Sequence, residues 1–180
     1  RTDSKHLPED YPDTVQQTLG VLGESPTYAR FAAEILDRKW VGSNKRVFDN
    51  SKVSDHFAII PTPLVARTGM LSDAESKLHD LVVRRFLAAF FPAAHYLVTT
   101  RTTSLGDLNF RSEGRVLLDA GWLRVVGREA GETASTLPPL SPAQSREESA
   151  RLESFAAHQL ATRPPARFSE ATLLSAMEGA

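Results

Sequence analysis

Three side chains near the start of the sequence are of types that handle phosphate. Arg1 leads the run Arg1-Thr2-Asp3-Ser4, and His56 leads His56-Phe57-Ala58-Ile59-Ile60-Pro61-Thr62, with Lys52 four residues before it. A guanidinium presents two parallel N–H donors to the non-bridging oxygens on which phosphoryl transfer gathers negative charge. An imidazole titrates near neutral pH, so it donates to a phosphate oxygen or relays a proton. The ammonium of Lys52 is a point charge suited to a DNA backbone. Each also has a plainer reading: Arg1 as an exposed solubilising charge, His56 as a brace for Ala58-Ile59-Ile60, Lys52 as a solvated loop lysine. Asp3 and Ser4 bond readily to nearby amides and are read as ordering the backbone.

The elements that would position these groups follow from pattern. Pro12 opens a helix with Val15, Leu19 and Leu22 on one face, ending at Gly23. Ser25-Pro26 is an N-cap and N1 pair for a helix from Pro26 to Arg38, with Tyr28, Phe31, Ala32, Ile35 and Leu36 at helical spacing. Val41 to Asp55 has few apolar anchors and reads as a mobile loop leading into the His56 motif. Ser72-Asp73-Ala74-Glu75 is a capping box for a helix that Pro92 ends, with Leu78, Leu81, Val82, Arg85, Phe86 and Ala89 as its apolar stripe. Arg85 on that stripe reads as stem packing with local charge pairing, and Phe86, Phe90 and Phe91 read as core.

Beyond Pro92 the pattern changes to short runs between glycine turns: Tyr96 to Thr100, Leu108 to Phe110, Val116 to Leu118 and Trp122 to Val126, all read as strands. Gly127 to Ser149 reads as a long surface loop. Glu147 to Leu160 is compatible with a helix or a returning strand, of which the strand is preferred. Ser169 to Glu178 is a capped helix with Leu173, Leu174 and Met177 on one face.

At 180 residues and 41% hydrophobic content the chain can bury a core, and its 11 prolines and 10 glycines cluster between apolar runs, favouring segmented architecture. A formal net charge of −1 lacks the basic excess of many nucleic-acid binders. With no cysteine there is no disulfide or Cys-ligated zinc. His6, His79, His95 and His158 have no ligand-like spacing, so no metal or cofactor site is assigned. The absence of a long apolar run argues against a membrane span, and a soluble, cytoplasmic protein is the default expectation.

The Arg1-Thr2-Asp3-Ser4 block with Leu7-Pro8, the Lys52-Val53 and His56 to Thr62 block, and Pro164-Pro165-Ala166-Arg167-Phe168 with the helix after it occur in an order that resembles the type IA DNA topoisomerases, DNA topoisomerase III branch. Asp80 to Leu87, Ala120-Gly121-Trp122 and Leu137 to Leu140 also resemble that branch. The resemblance implies α+β architecture: a mostly helical gate domain (1–92, partial), the second half of a β-rich hinge forming part of a barrel (93–165) and anchored by Trp122, and the start of a further helical domain (166–180). It implies a tyrosine two places before Arg1 that attacks one DNA strand, becomes linked to the 5′ phosphate, and reseals the break after strand passage, without ATP. Arg1 and His56 would act on the scissile phosphate, with Arg1 and Lys52 as DNA contacts. Magnesium would be held by acidic residues outside this chain, and the partner would be chiefly single-stranded DNA. The 180 residues alone are expected to be inactive. The competing reading is a non-catalytic DNA-binding or structural module descended from that family.

Overall fold

The computed structural model describes residues 4–42, 44–64, 71–128, 133–135, 137, 151, 153–154, 156 and 158–178. These fall into two units, Arg1–Pro139 and Leu140–Ala180. The architecture is mixed α+β.

In the first unit, helix α1 (Pro12–Leu22) buries Val15, Leu19 and Leu22, and helix α2 (Ala29–Asp37) buries Phe31, Ala32 and Ile35. Both faces follow the expected spacing except at Leu36, which is exposed, and α2 begins at Ala29 rather than Pro26. Tyr28 stands at the N-cap of α2 with φ −114°, and its hydroxyl donates to Asp80 at 2.8 Å. Residues 26–28 form a turn instead.

Helix α3 (Asp73–Phe90) starts at the expected capping box. The Ser72 hydroxyl accepts from the Glu75 N–H at 3.4 Å, and the Glu75 carboxylate accepts from the Ser72 N–H at 2.8 Å. Each bond satisfies an amide that the first helical turn leaves without an internal partner. The buried face is Val83, Phe86, Leu87 and Phe90. That corrects the expected stripe, because Leu78, Leu81, Arg85 and Ala89 are all exposed. Two apolar stripes overlap on this helix, and the bulkier one wins. Phe90 lies 5.3 Å from Phe86 and 6.3 Å from Phe48 between ring centroids, and Phe91 stacks edge-on against Trp40 at 5.0 Å and Phe31 at 6.0 Å. The core is thus aromatic where α2, α3 and the segment around Phe48 converge.

Strand β1 (His95–Leu105) and strand β2 (Leu108–Asp119) form an antiparallel hairpin in which Leu105 faces Leu108. Gly106, at φ +58°, occupies the first of the two loop positions, where the twist of a hairpin calls for left-handed backbone. Strand β3 (Thr133–Ser135) pairs with Arg115 and Val116 to give the order β1-β2-β3. It lies inside the stretch expected to be loop. The sheet is open, and no barrel is formed among the described residues, since one short third strand cannot close a ribbon of this length.

Trp122 to Val126, expected as a strand, is a 3-10 helix spanning Gly121–Val126. Gly121 decides this. At φ +46° it turns the chain sharply, and a Cβ there would sit 2.5 Å from the carbonyl oxygens of Pro92 and Ala93, a closeness only glycine permits. The Trp122 N–H then bonds to the Pro92 carbonyl at 3.0 Å, tying the end of the hairpin to the end of α3. Two arginines secure the same turn: Arg84 donates to Val125 O at 2.8 Å, and Arg124 pairs with Glu34 at 2.9 Å.

In the second unit, helix α4 (Glu170–Glu178) is capped by the Ser169 hydroxyl, which accepts from the Thr172 N–H at 3.2 Å. The strand preferred over Glu147 to Leu160 lies partly outside the described residues. Those described within it, 151, 153–154, 156 and 158–160, carry no strand.

Candidate functional site

The first and second motifs are about fifty residues apart in sequence, and backbone bonds bring them together. The Ser4 hydroxyl donates to the Lys52 carbonyl at 2.7 Å and accepts from the His6 N–H at 3.1 Å. Leu7 forms a parallel bridge with Phe48, through Leu7 N–H to Val47 O at 2.7 Å and Asp49 N–H to Leu7 O at 3.0 Å. On the other side the Ala58 N–H donates to the His6 carbonyl at 2.9 Å. The segment after Arg1-Thr2-Asp3 therefore runs between the loop carrying Lys52 and the strand-like run carrying His56. Leu7, Val47 and Phe48 are buried, so the loop expected to be mobile is pinned from below by apolar side chains.

His56 is exposed, at the start of this extended run. Its neighbour Phe57 packs on Tyr11 at 4.8 Å between ring centroids, which fixes the backbone that carries the imidazole. Lys52 is also exposed and ion-pairs with Asp49 at 3.2 Å. Asp49 in turn caps the short 3-10 helix Asn50–Lys52 by accepting from the Ser51 N–H. Bonds from Ser51, then from Lys52, hold the Asp49 carboxyl below the usual carboxylate range. The lysine ammonium thus shares its charge with a neighbour. Arg1 lies outside the described residues.

Beside the joined motifs opens a cleft of about 590 Å³. Ser4, Lys5 and Ile59 come to it from the two motif segments, Arg46 from the loop, Arg85 from α3 and Trp122 from the second 3-10 helix. The sequence had suggested that Arg85 packs its stem and pairs its charge locally. Instead Arg84 takes the local partner, binding both Asp80 oxygens at 2.8 and 2.9 Å, and Arg85 points to the cleft edge. The sequence contains no signal for Lys5 or Arg46, because only the bridge between Leu7 and Phe48 brings them to one wall.

Among the described residues no group of three or more His, Cys, Asp or Glu is placed to hold a metal ion. The magnesium that the resemblance implies therefore does not fit these residues, and no step is derived through it. Among the described residues no helix is long and apolar enough to cross a membrane.

The paired motif segments thus lie side by side in the helical part of the first unit, from whose helix α3 the chain runs on into the β-hairpin. A family profile of DNA topoisomerases matches residues 1–180, and the chain belongs to that family, in its type IA class. It is 37% identical over 179 residues to DNA topoisomerase 3 of Shouchella clausii (strain KSM-K16), covering 99% of this chain and 24% of that protein. To DNA topoisomerase 3 of Bacillus cereus (strain ATCC 14579) it is 38% identical over 181 residues, covering 99% and 25% respectively. To that of Bacillus licheniformis (strain ATCC 14580) it is 38% identical over 183 residues, covering 99% and 24%. The chain spans about a quarter of the length of these relatives.

Proposed function

We infer that these 180 residues form part of a type IA topoisomerase that cuts one DNA strand through a 5′-phosphotyrosine, passes DNA through the break and religates it without ATP. The observation that supports this reading is the joining of the Ser4 to His6 segment to the segments that carry Lys52 and His56, by the Ser4–Lys52 and His6–Ala58 bonds. In this reading Arg1 holds the scissile phosphate by two guanidinium bonds, and His56 donates to it or relays the proton of the leaving oxygen. Lys52 adds a backbone contact weakened by Asp49. Helices α1 to α3 belong to the gate, and the sheet beyond Pro92 to the hinge.

The chain's three tyrosines stand elsewhere. Tyr28 is buried, and Tyr11 is packed on Phe57, while Tyr96 lies on β1. Burial, followed by its bond to the Asp80 carboxylate, pushes the Tyr28 hydroxyl up to about 12, the opposite of what a nucleophile needs. The resemblance to type IA enzymes puts the attacking tyrosine two places before Arg1 and the acidic residues for magnesium in another part of a longer polypeptide, and on this reading the 180 residues by themselves are inactive.

The test is to incubate the full-length protein with labelled single-stranded DNA and magnesium, denature it, and identify the DNA-linked residue by mass spectrometry. A 5′-phosphate adduct on the tyrosine two places before Arg1 is expected. An adduct on Tyr11, or none on a substrate that a control topoisomerase cleaves, overturns the assignment.

A further inference from the structure

We propose that the cleft between the motif wall and α3 is a second contact site for the DNA strand, seating one nucleotide away from the bond that is cut. This rests on the strand-cleaving reading above and adds a subsite to it. Three cations, Lys5, Arg46 and Arg85, converge on the cleft from three separate elements, and among the described residues no acidic one lines it. Lys5 and Arg85 have no carboxylate partner among the described residues. Arg46 is held in the wall by a bond from its guanidinium to the Phe91 carbonyl at 3.4 Å, which leaves its charge unneutralised.

In a chain of net charge −1, three cations around one concavity with no carboxylate against them among the described residues mark a place for an anion. The other lining is apolar. Ile59 is 68% exposed at the mouth, and Trp122 and Ala89 continue the same surface. Cations beside exposed apolar surface suit a nucleotide, whose phosphates meet the charges while its base covers the hydrocarbon. The volume suits a group of that size. Ser4, Ala58 and Ile59 belong both to the cleft lining and to the motif segments, so the cleft adjoins the place where the proposed function has the strand held.

The test uses the full-length protein and a fluorescein-labelled oligo-dT, with affinity read by anisotropy across a salt series. The Lys5→Ala, Arg85→Ala double variant is expected to bind about 10-fold or more weakly at low salt. Its plot of log affinity against log salt becomes shallower by about 1.4, the loss of two single-strand phosphate contacts. Both side chains are exposed, so the melting temperature stays at the wild-type value. Arg85→Lys keeps the charge and is expected to hold the wild-type slope, whereas Arg85→Gln lowers it by about 0.7. Arg38→Ala, which removes an exposed cation away from the cleft, is the control. If the double variant keeps wild-type affinity and slope while wild type still forms the tyrosine adduct, the cleft assignment alone is overturned. If wild type neither binds the oligonucleotide nor forms the adduct, the strand-cleaving reading falls, and the subsite with it.

Discussion

His56 shows how a side chain proposed to meet phosphate can be left exposed while the residues beside it are fixed. Its imidazole is exposed, while the next residue is clamped by Tyr11 and the one after that by a backbone bond to His6. Such a group reaches an incoming phosphate without first breaking an internal contact. Replacing it should remove a donor or proton carrier and little else. We expect His56→Ala in the full-length enzyme to slow single-turnover cleavage by about 10- to 1000-fold with an unchanged melting temperature. Unchanged cleavage would return His56 to the role of a structural brace. The residue type and motif were legible in the sequence, but the support from His6 was not, because a backbone carbonyl leaves no mark in the amino-acid letters.

At the scale of elements, Tyr28, Asp80, Arg84 and Val125 tie α2, α3 and the second 3-10 helix together. Asp80 accepts from both Tyr28 and Arg84, and Arg84 reaches on to Val125 O. The Arg84 bond, ahead of other effects, holds the Asp80 carboxyl below the usual carboxylate range. A depressed carboxyl stabilises the fold above its ordinary value of 3.8 and loses that contribution as pH falls through the lowered value. The side chain is 41% exposed, so solvent screening limits the contribution to about 1 kcal/mol. Urea unfolding followed by tryptophan fluorescence should show Asp80→Asn less stable than wild type by about that amount at neutral pH, with the gap closing below pH 3.8. Equal stability at neutral pH would mean the network merely coexists with packing.

The capping box of α3, its stop before Pro92 and the faces of α1 and α2 were all readable, since local chemistry decides them. The face of α3 was not, because Val82 and Val83 begin two overlapping stripes and only the rings of Phe31, Trp40 and Phe48 choose between them. Trp122 to Val126 has strand-like composition, yet Gly121 and the contacts of Arg84 and Arg124 bend it into a 3-10 helix. The expected barrel failed for a related reason. A run of β-forming residues announces strands, whereas closure depends on how many strands meet.

Over the 180 residues as a whole, charge is nearly balanced, so the DNA contacts proposed for them rest on local grouping rather than on a general field. With about three phosphates engaged, raising salt from about 0.05 M to about 0.2 M should weaken oligo-dT binding by about 20-fold, as measured by anisotropy on the full-length protein. A much steeper loss would point to cations outside these 180 residues as the main contacts.

The bond from the Ser4 hydroxyl to the Lys52 carbonyl spans 48 residues of chain. Its consequence is temporal. At a synthesis rate of about 5–20 residues per second, Ser4 is made roughly 2–10 s before the residue that anchors it. During that interval α1 and α2 can form from local contacts, but the wall that joins the two motifs cannot. A ribosome-bound chain thus carries the Ser4 segment unanchored while α1 and α2 form, and the joined wall arises only once Lys52 and Ala58 have been made, before α3.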